Sequence, residues 1–530
     1  MLKNETRQLI LVIAINVTIA LGFFIGNLNA NYSSLSSDIQ NIIPVAQKFD
    51  NPELFKKDLY LNTIDNVRYY TPFYVQSLRF FGKFTNQDYV QSVNIMNGIC
   101  HLLFGVLWFF LIYKFVSNFW IALLISVLVR GIVWLPGFEI WGIADLWTMM
   151  PRTLYITFFP IPFLILKPSF LRVVLSAFLI GLVFNFHPIT GLGGILLYLS
   201  FIVLYVIVYK QKSKVTVKNS LGVLLALLIG MLPFILTYFG KTSSNITYDM
   251  NAFSQAFNAR IPMLFSEPIT FLKQWVHFKT LFYILPVILY YLVSRSHKES
   301  NNRAKIIILL TVILIVLPSI SVYVEGFVNR ILNLNLRLSF QLIRSQKIAI
   351  IPSFFAMAYL LQYLHEKLKS NWFLPVLVST CFLVLLVCKR PVFDAVPFVG
   401  DDISRLVLPN NLSFGSHLPS KKLAADAMAE YIEENTPQEA LLYGSHHYRG
   451  ASRRSVILDS KGASMLIEGN PTQFIEAREN QKKLGNAQTI IEKIKVLKTL
   501  GVNYIVTRNK AYGSELTPVH TEGDLSLYKL

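Results

Sequence analysis

Apolar runs near twenty residues long recur through the first 388 positions, and they decide what this chain can fold into. A run of that length satisfies its own backbone hydrogen bonds as a helix and reaches across a bilayer. The first covers 9–25; the others fall near 95–113, 119–136, 151–167, 169–186, 191–209, 219–239, 280–294, 305–323, 348–364 and 372–388. The expected fold is therefore mainly α, a multi-pass transmembrane helical bundle of about eleven spans. Hydrophobic residues make up 53% of the chain and charged residues 15%, which excludes an ordinary soluble domain. Three cysteines (Cys100, Cys381, Cys388) exclude a disulfide framework, and the last two sit inside one apolar run, where packing is their expected role.

The net charge of +19 does not indicate a nucleic-acid partner, because much of the Lys and Arg lies in short loops between apolar runs, where it sets topology. Lys3 and Arg7 precede the first run, which reads as an anchor with a cytoplasmic N-terminus. A signal peptide is the alternative, but the run is long for one and Leu28-Asn29-Ala30 is a poor cleavage site. The inner connections are then those around Lys114, Lys167/Arg172, KQKSKVTVK (210–218), SRSHKESNNRAK (294–305) and HEKLKSN (365–371). An odd number of spans places everything after Lys389 outside.

Past that point charge rises and apolar runs shorten. The expected organisation is a transmembrane domain over 1–389 with its first outer loop at 29–94, a Pro-, Asn- and Ser-rich linker over 390–418, and a small extracytoplasmic α/β domain over 419–530. In that domain ADAMAEYIEENTP, FIEAREN and QTIIEKIKVLKTLG predict helices, and ALLYG, SVILDS, VNYIVT and SLYKL predict strands.

The ionisable residues of the membrane part collect at the outer ends of spans. Asp38 and Asp58 lie in the first outer loop, Asp58 at the far end of an expected amphipathic helix. Glu139, Asp145 and Arg152 lie in the next outer connection, His187 in FNFHPITG, and Arg330, Arg337 and Arg344 in NRILNLNLRLSFQLIRSQK. Charges at a bilayer boundary are costly unless partnered, so this clustering predicts a water-filled outer cavity. Each has a plainer reading. Asp38 could cap a helix starting at Ile39, Asp58 could be a solvated loop charge, and His187 a turn residue. Asp145 could pair with Arg152, and Arg337 and Arg344, sharing a helix face, could snorkel to the surface rather than hold a phosphate. Tyr69, Tyr70, Trp141 and Trp147 suit stacking on a sugar or prenyl chain, or interfacial anchoring. GLGG (191–194) suits close helix packing. The chain contains no nucleotide-binding glycine loop and no zinc spacing, so a group donor would arrive already activated on a lipid.

An anchor span, a long first outer loop with an acid near its start, about eleven spans and an outer α/β tail together resemble the GT-C superfamily of polytopic membrane glycosyltransferases. SSDIQNIIPVAQKFDNPELFKKDLY, RYYTPFYVQSL, FNFHPITGLGG, QLIRSQK, YIEENTPQEALLYG and RRSVILDSKG are similar to bacterial membrane proteins of that type. The resemblance implies sugar transfer from a polyprenyl-phosphate donor to a glycan, lipid or protein acceptor on the outer face of the bacterial inner membrane, with no nucleic acid involved. It matches Asp38 to the first-loop acid that acts as general base or orients a metal. A divalent cation is the one cofactor it admits, but Ile39 and Gln40 stand where a second acid would follow. Arg344 and Arg337 would clamp the lipid phosphate, with Arg330, His187, Asp145, Arg152, Asp58, Tyr69 and Tyr70 lining the substrate site. Two other classes remain open: a transporter or flippase of a lipid-linked or anionic substrate, which would carry an inverted repeat, and a membrane scaffold with an outer binding domain.

Overall fold

The structure, a computed structural model, describes residues 2–28, 30–131, 149–210, 217–240, 247–261, 267–276, 278–332, 336–387, 423–509 and 511–530. Within them every apolar run falls on helix. In chain order the helices are α1 (Leu2–Gly26), α2 (Ser37–Asp50), α3 (Pro72–Gly82), α4 (Tyr89–Val116), α5 (Phe119–Leu128), α6 (Pro151–Phe158), α7 (Pro160–Ile165), α8 (Phe170–Phe184) and α9 (Pro188–Val208). They continue as α10 (Val217–Phe239), α11 (Met250–Arg260), α12 (Pro268–Gln274), α13 (Phe278–Val293), α14 (Lys298–Leu332), α15 (Ser339–Leu342), α16 (Ile350–Leu368) and α17 (Phe373–Val387). Among the described residues five helices are long and apolar enough to cross a membrane: Tyr89–Val116, Pro188–Val208, Asn219–Phe239, Lys298–Leu332 and Ser339–Leu368.

Two local expectations are corrected. The first-loop helix ends at Asp50, well before Asp58, because Asn51 and Pro52 follow; a residue ahead of proline is pushed out of the helical region. Arg337 and Arg344 do not share a helix face. The chain becomes helical only at Ser339, and Arg344 lies in a 3-10 stretch, Ile343–Ala349. The cause is in α14. The Glu325 carboxylate accepts from the backbone N–H of Leu338 (2.5 Å) and Ser339 (2.8 Å), and Asn329 accepts from the N–H of Leu336 (2.8 Å) and donates to its carbonyl (3.0 Å). These bonds hold the approach to α15 non-helical and satisfy donors the new helix would otherwise orphan.

The chain divides into two compact units. The first comprises Met1–Gly26, Met96–Leu232 and Met263–His417. In it α13 packs on α16, α14 on α9 and on the 3-10 stretch, and α8 on α9.

The second comprises Asn27–Ile95, Pro233–Pro262 and Leu418–Leu530. Its centre is a five-stranded sheet in the order β2-β1-β3-β5-β4, formed by β1 (Leu441–Tyr443), β2 (Ser455–Ile457), β3 (Tyr504–Arg508), β4 (Pro518–Glu522) and β5 (Leu525–Lys529). The first three pair in parallel and the rest antiparallel. Side chains alternate between faces. Leu442, Val456, Val506 and Leu527 join Met428 and Ile432 of α18 (Ala424–Asn435) on one side; Leu441, Ile457, Ile505 and Tyr528 join Leu497 of α22 (Ile490–Thr499) on the other. Between β1 and β3 run β2 and three helices, α19 (His447–Ser452), α20 (Ser460–Gly469) and α21 (Pro471–Asn486), and then α22. Helix α2 lies against α19, and α11 against α21.

Candidate functional site

In the second unit, Asp38 occupies the first turn of α2. It does not cap the helix: Ser36 does, its Oγ accepting from Ile39 N–H. The Asp38 carboxylate is thereby released for another partner, and it takes the Lys461 ammonium of α20 in an ion pair whose side chains stay 39% and 35% exposed. Lys461 is itself placed by buried charges. Asp58 Oδ2 accepts from Arg449 Nε (2.5 Å) and Val456 N–H (3.1 Å), while its Oδ1 accepts from Tyr60 and Leu61 N–H (2.9 and 3.3 Å). Arg449 Nη2 donates to Asp459 Oδ2 (2.5 Å), and Asp459 Oδ1 caps α20 through Gly462 N–H (2.8 Å). One chain of contacts thus runs from Asp58 through Arg449 and Asp459 to the helix start that presents Lys461 to Asp38.

The electrostatics follow from burial and pairing. Burial alone would push the Asp459 carboxyl up, but Arg449 and the Gly462 N–H outweigh it and hold it below the usual carboxylate value. Burial holds the half-buried His446 imidazole below its ordinary value, with the charges of Asp459, Arg449, Lys461 and Asp38 all acting on it. His446 is therefore a neutral neighbour of the Asp38–Lys461 pair. Asp58, expected either to line the substrate site or to be a solvated loop charge, lies in the interior with both oxygens engaged. Tyr69 is also interior, its hydroxyl donating to Met465 O (2.9 Å) and its ring edge-on to Tyr238 (5.5 Å), whereas Tyr70 is half-buried. Among the described residues no three His, Cys, Asp or Glu side chains gather as a metal would require.

In the first unit the cations come together. His187 is the N-cap of α9: its Nδ1 accepts from Thr190 N–H (3.1 Å), which leaves the ring proton on Nε2. Burial lowers its pKa well below the ordinary value, and Lys347, Arg152 and Arg344 lower it further, which makes these three its charged neighbours. Arg152 stands in the first turn of α6, and Arg344 and Lys347 in the 3-10 stretch that α9 packs against. The GLGG segment permits that approach, since a side chain at Gly193 would meet Ser345 and Ile348 and one at Gly194 would meet Tyr155.

Lys347 was not singled out from the sequence, yet it is the most constrained of the group. Only 2% exposed, it has Arg152 and Arg344 as its charged neighbours and no hydrogen-bond acceptor or acid for its ammonium among the described residues. Arg344 and Arg337 are half-buried, with Arg344 Nη1 donating to Gln341 Oε1 (3.0 Å), and Arg330 is exposed in the last turn of α14. Glu139, Trp141, Asp145 and Trp147 lie outside the described residues.

No protein-family model matches the sequence, and no curated protein matches it. The fold does match. ArnT from Cupriavidus metallidurans, solved bound to undecaprenyl phosphate, is similar over 99% of this chain and 98% of its own, with a TM-score of 0.51 at 13% identity. A weaker likeness, over 96% of this chain and 70% of the other with a TM-score of 0.47 at 11% identity, is to the archaeal oligosaccharyltransferase AglB from Archaeoglobus fulgidus, in complex with an inhibitory peptide and a dolichol-phosphate. The chain has the fold of the GT-C membrane glycosyltransferases.

Proposed function

We propose that the protein is a membrane glycosyltransferase that moves a sugar from a polyprenyl-phosphate carrier to an acceptor hydroxyl. The observation that carries this reading is Lys347, a buried ammonium set among Arg152, Arg344 and His187. Guanidinium forks with an ammonium and an imidazole N–H suit the oxygens of an anionic phosphate. The whole-chain likeness to ArnT, solved with undecaprenyl phosphate, supports a lipid phosphate as that anion.

Asp38 of the second unit is the general base. The acceptor hydroxyl gives its proton to the carboxylate as its oxygen bonds to the anomeric carbon, and the bond from that carbon to the carrier phosphate breaks. The departing phosphate keeps the electron pair as the bond breaks. Attack opposite the leaving group inverts the anomeric centre. The test is transfer by the purified protein in liposomes supplied with polyprenyl-phosphate sugars. Asp38→Asn should lose about a hundredfold or more in rate while still binding the carrier. Undiminished transfer by that variant would remove the base assignment, and wild-type protein that neither binds nor uses any lipid-phosphate sugar would remove the whole reading.

A further inference from the structure

Two cavities of opposite character adjoin in the first unit, and neither shares a lining residue with the cations around Lys347. One, of about 330 Å³, is walled by rings and aliphatic side chains, among them Phe163, Phe201, Leu310 and Phe355. The other, of about 350 Å³, is polar and lined by Arg303, Glu366, Lys367 and Lys369, three cations against one acid. Arg303 and Tyr359 belong to both. The polar end lies at helix ends: Arg303 is near the start of α14 and Lys367 in the last turn of α16. These are ends that the charge rule assigns to the cytoplasmic side. From there the apolar cavity follows α14 from Arg303 to Leu310 and α9 from Tyr209 back to Leu197, which corresponds to roughly 10 and 18 Å of helix.

We infer that the two cavities form one binding site for an anionic glycerophospholipid, with an acyl chain in the apolar cavity and the phosphate in the polar one. Arg303 sits at the junction. Its Nε faces Glu299 (3.3 Å) and its guanidinium lies over the Tyr359 ring (5.5 Å), which is stacked on Tyr290. Its Nη atoms have no hydrogen-bond acceptor among the described residues, so they are available to a phosphate oxygen. Lys367 packs over Tyr363 (5.6 Å) and adds charge to the same cavity. A zwitterionic lipid would bring an extra cation into a cavity that already has an excess of them, and a soluble phosphate ester would leave the apolar cavity unfilled. A basic pocket between helices on the cytoplasmic side, continuous with an apolar slot, answers both ends of an anionic lipid. The inference is independent of the transferase reading.

The experiment is native mass spectrometry of the delipidated, detergent-solubilised full chain titrated with phosphatidylglycerol, with phosphatidylcholine of the same acyl chains, and with glycerol phosphate. Phosphatidylglycerol should bind at least about tenfold more tightly than phosphatidylcholine, and glycerol phosphate should not displace it. Replacing Arg303→Ala and Lys367→Ala together should weaken it roughly thirtyfold. Lys367→Ala alone, at a helix end where folding is not at stake, should still weaken it measurably. Equal binding of the two lipids, displacement by glycerol phosphate, or indifference to the Arg303 and Lys367 substitutions would each overturn the inference.

Discussion

Arg449 is buried with its Nε 2.5 Å from Asp58 Oδ2, so a guanidinium from α19 and a carboxylate from the first loop close on each other in the interior of the second unit. Asp459 holds the same guanidinium from the other side, and the Tyr60 ring lies 4.9 Å from it. Two acids against one buried cation make this a contact that tolerates no half-measure. Arg449→Met leaves both carboxylates without their cation and should destabilise the protein by about 3–5 kcal/mol. Thermal unfolding in detergent measures it, and an unchanged melting temperature would show that the pair contributes nothing.

The same cluster sets an acid limit. Because Arg449 and the Gly462 N–H hold the Asp459 carboxyl below its unfolded value, the folded state prefers the ionised form. The stability this contributes is present in full above the unfolded value, near pH 4, and is lost as pH falls through the lower folded one. Between pH 7 and about 5 the contribution should be flat, and below about 4 it should decline. Asp459→Asn should flatten that decline; a variant with the wild-type acid profile would place the acid limit elsewhere.

Within the first unit Arg130 is wholly buried. It is held by His101 through Nδ1 (3.1 Å) and the backbone carbonyl (2.8 Å), by Asn16, and by the Phe104 ring. Gly105 makes room for this arrangement, since a Cβ there would run into Asn16 Oδ1 and Arg130 Nη2. Gly105→Ala should therefore cost about 1–3 kcal/mol by displacing a buried charge from its acceptors. A melting temperature equal to wild type would mean that the network shifts freely.

Much of this architecture could be read from the chain because lipid leaves so little choice. A long apolar run must satisfy its backbone internally, and each such run is mostly helical where the structure describes it. Four tail strands were legible from compact apolar segments. Strand β4 was not, because PVHTE has a half-exposed edge pattern and pairs only with β5. The site was harder. Asp38 announced itself by its place at the head of the first loop, but Lys461, its partner, is 423 residues away and carries no local signal. Lys347 sits beside Arg344 at the entrance to an apolar run and reads as one more flanking charge until burial singles it out. Arg337 and Arg344 misled because a spacing of seven implies a shared face only if the helix is continuous, and Glu325 and Asn329 of α14 prevent that.

Lys347→Met gives a prediction in which stability and binding move in opposite directions. The substitution keeps the length of the side chain and removes a buried positive charge from beside two others. The protein without ligand should gain stability, by about 1 kcal/mol or more, because methionine suits the site better than a buried ammonium with no acceptor among the described residues. The stabilisation that an added polyprenyl phosphate gives should shrink at the same time. Both are read from melting curves with and without the lipid, and a variant that is less stable and binds normally would make Lys347 an ordinary structural residue.

The Asp38–Lys461 pair behaves differently from the Arg449 cluster because it is exposed. Its side chains keep more than a third of their surface open, and pairs of that kind stabilise by about 0–1 kcal/mol. Lys461→Ala should thus leave the melting temperature nearly unchanged. Its effect on transfer should be larger: an acid that has lost the ammonium orienting it spends less time in reach of the acceptor hydroxyl, and loose placement alone lowers rates by an order of magnitude or more. The expected result is a kcat about tenfold lower, an acceptor KM little altered, and recovery in Lys461→Arg, which restores the charge. Asp38→Asn should be equally stable and far slower. If both substitutions instead lower the melting temperature and leave kcat alone, the pair is a clasp between α2 and α20, and the base must be sought among the other acids of the chain.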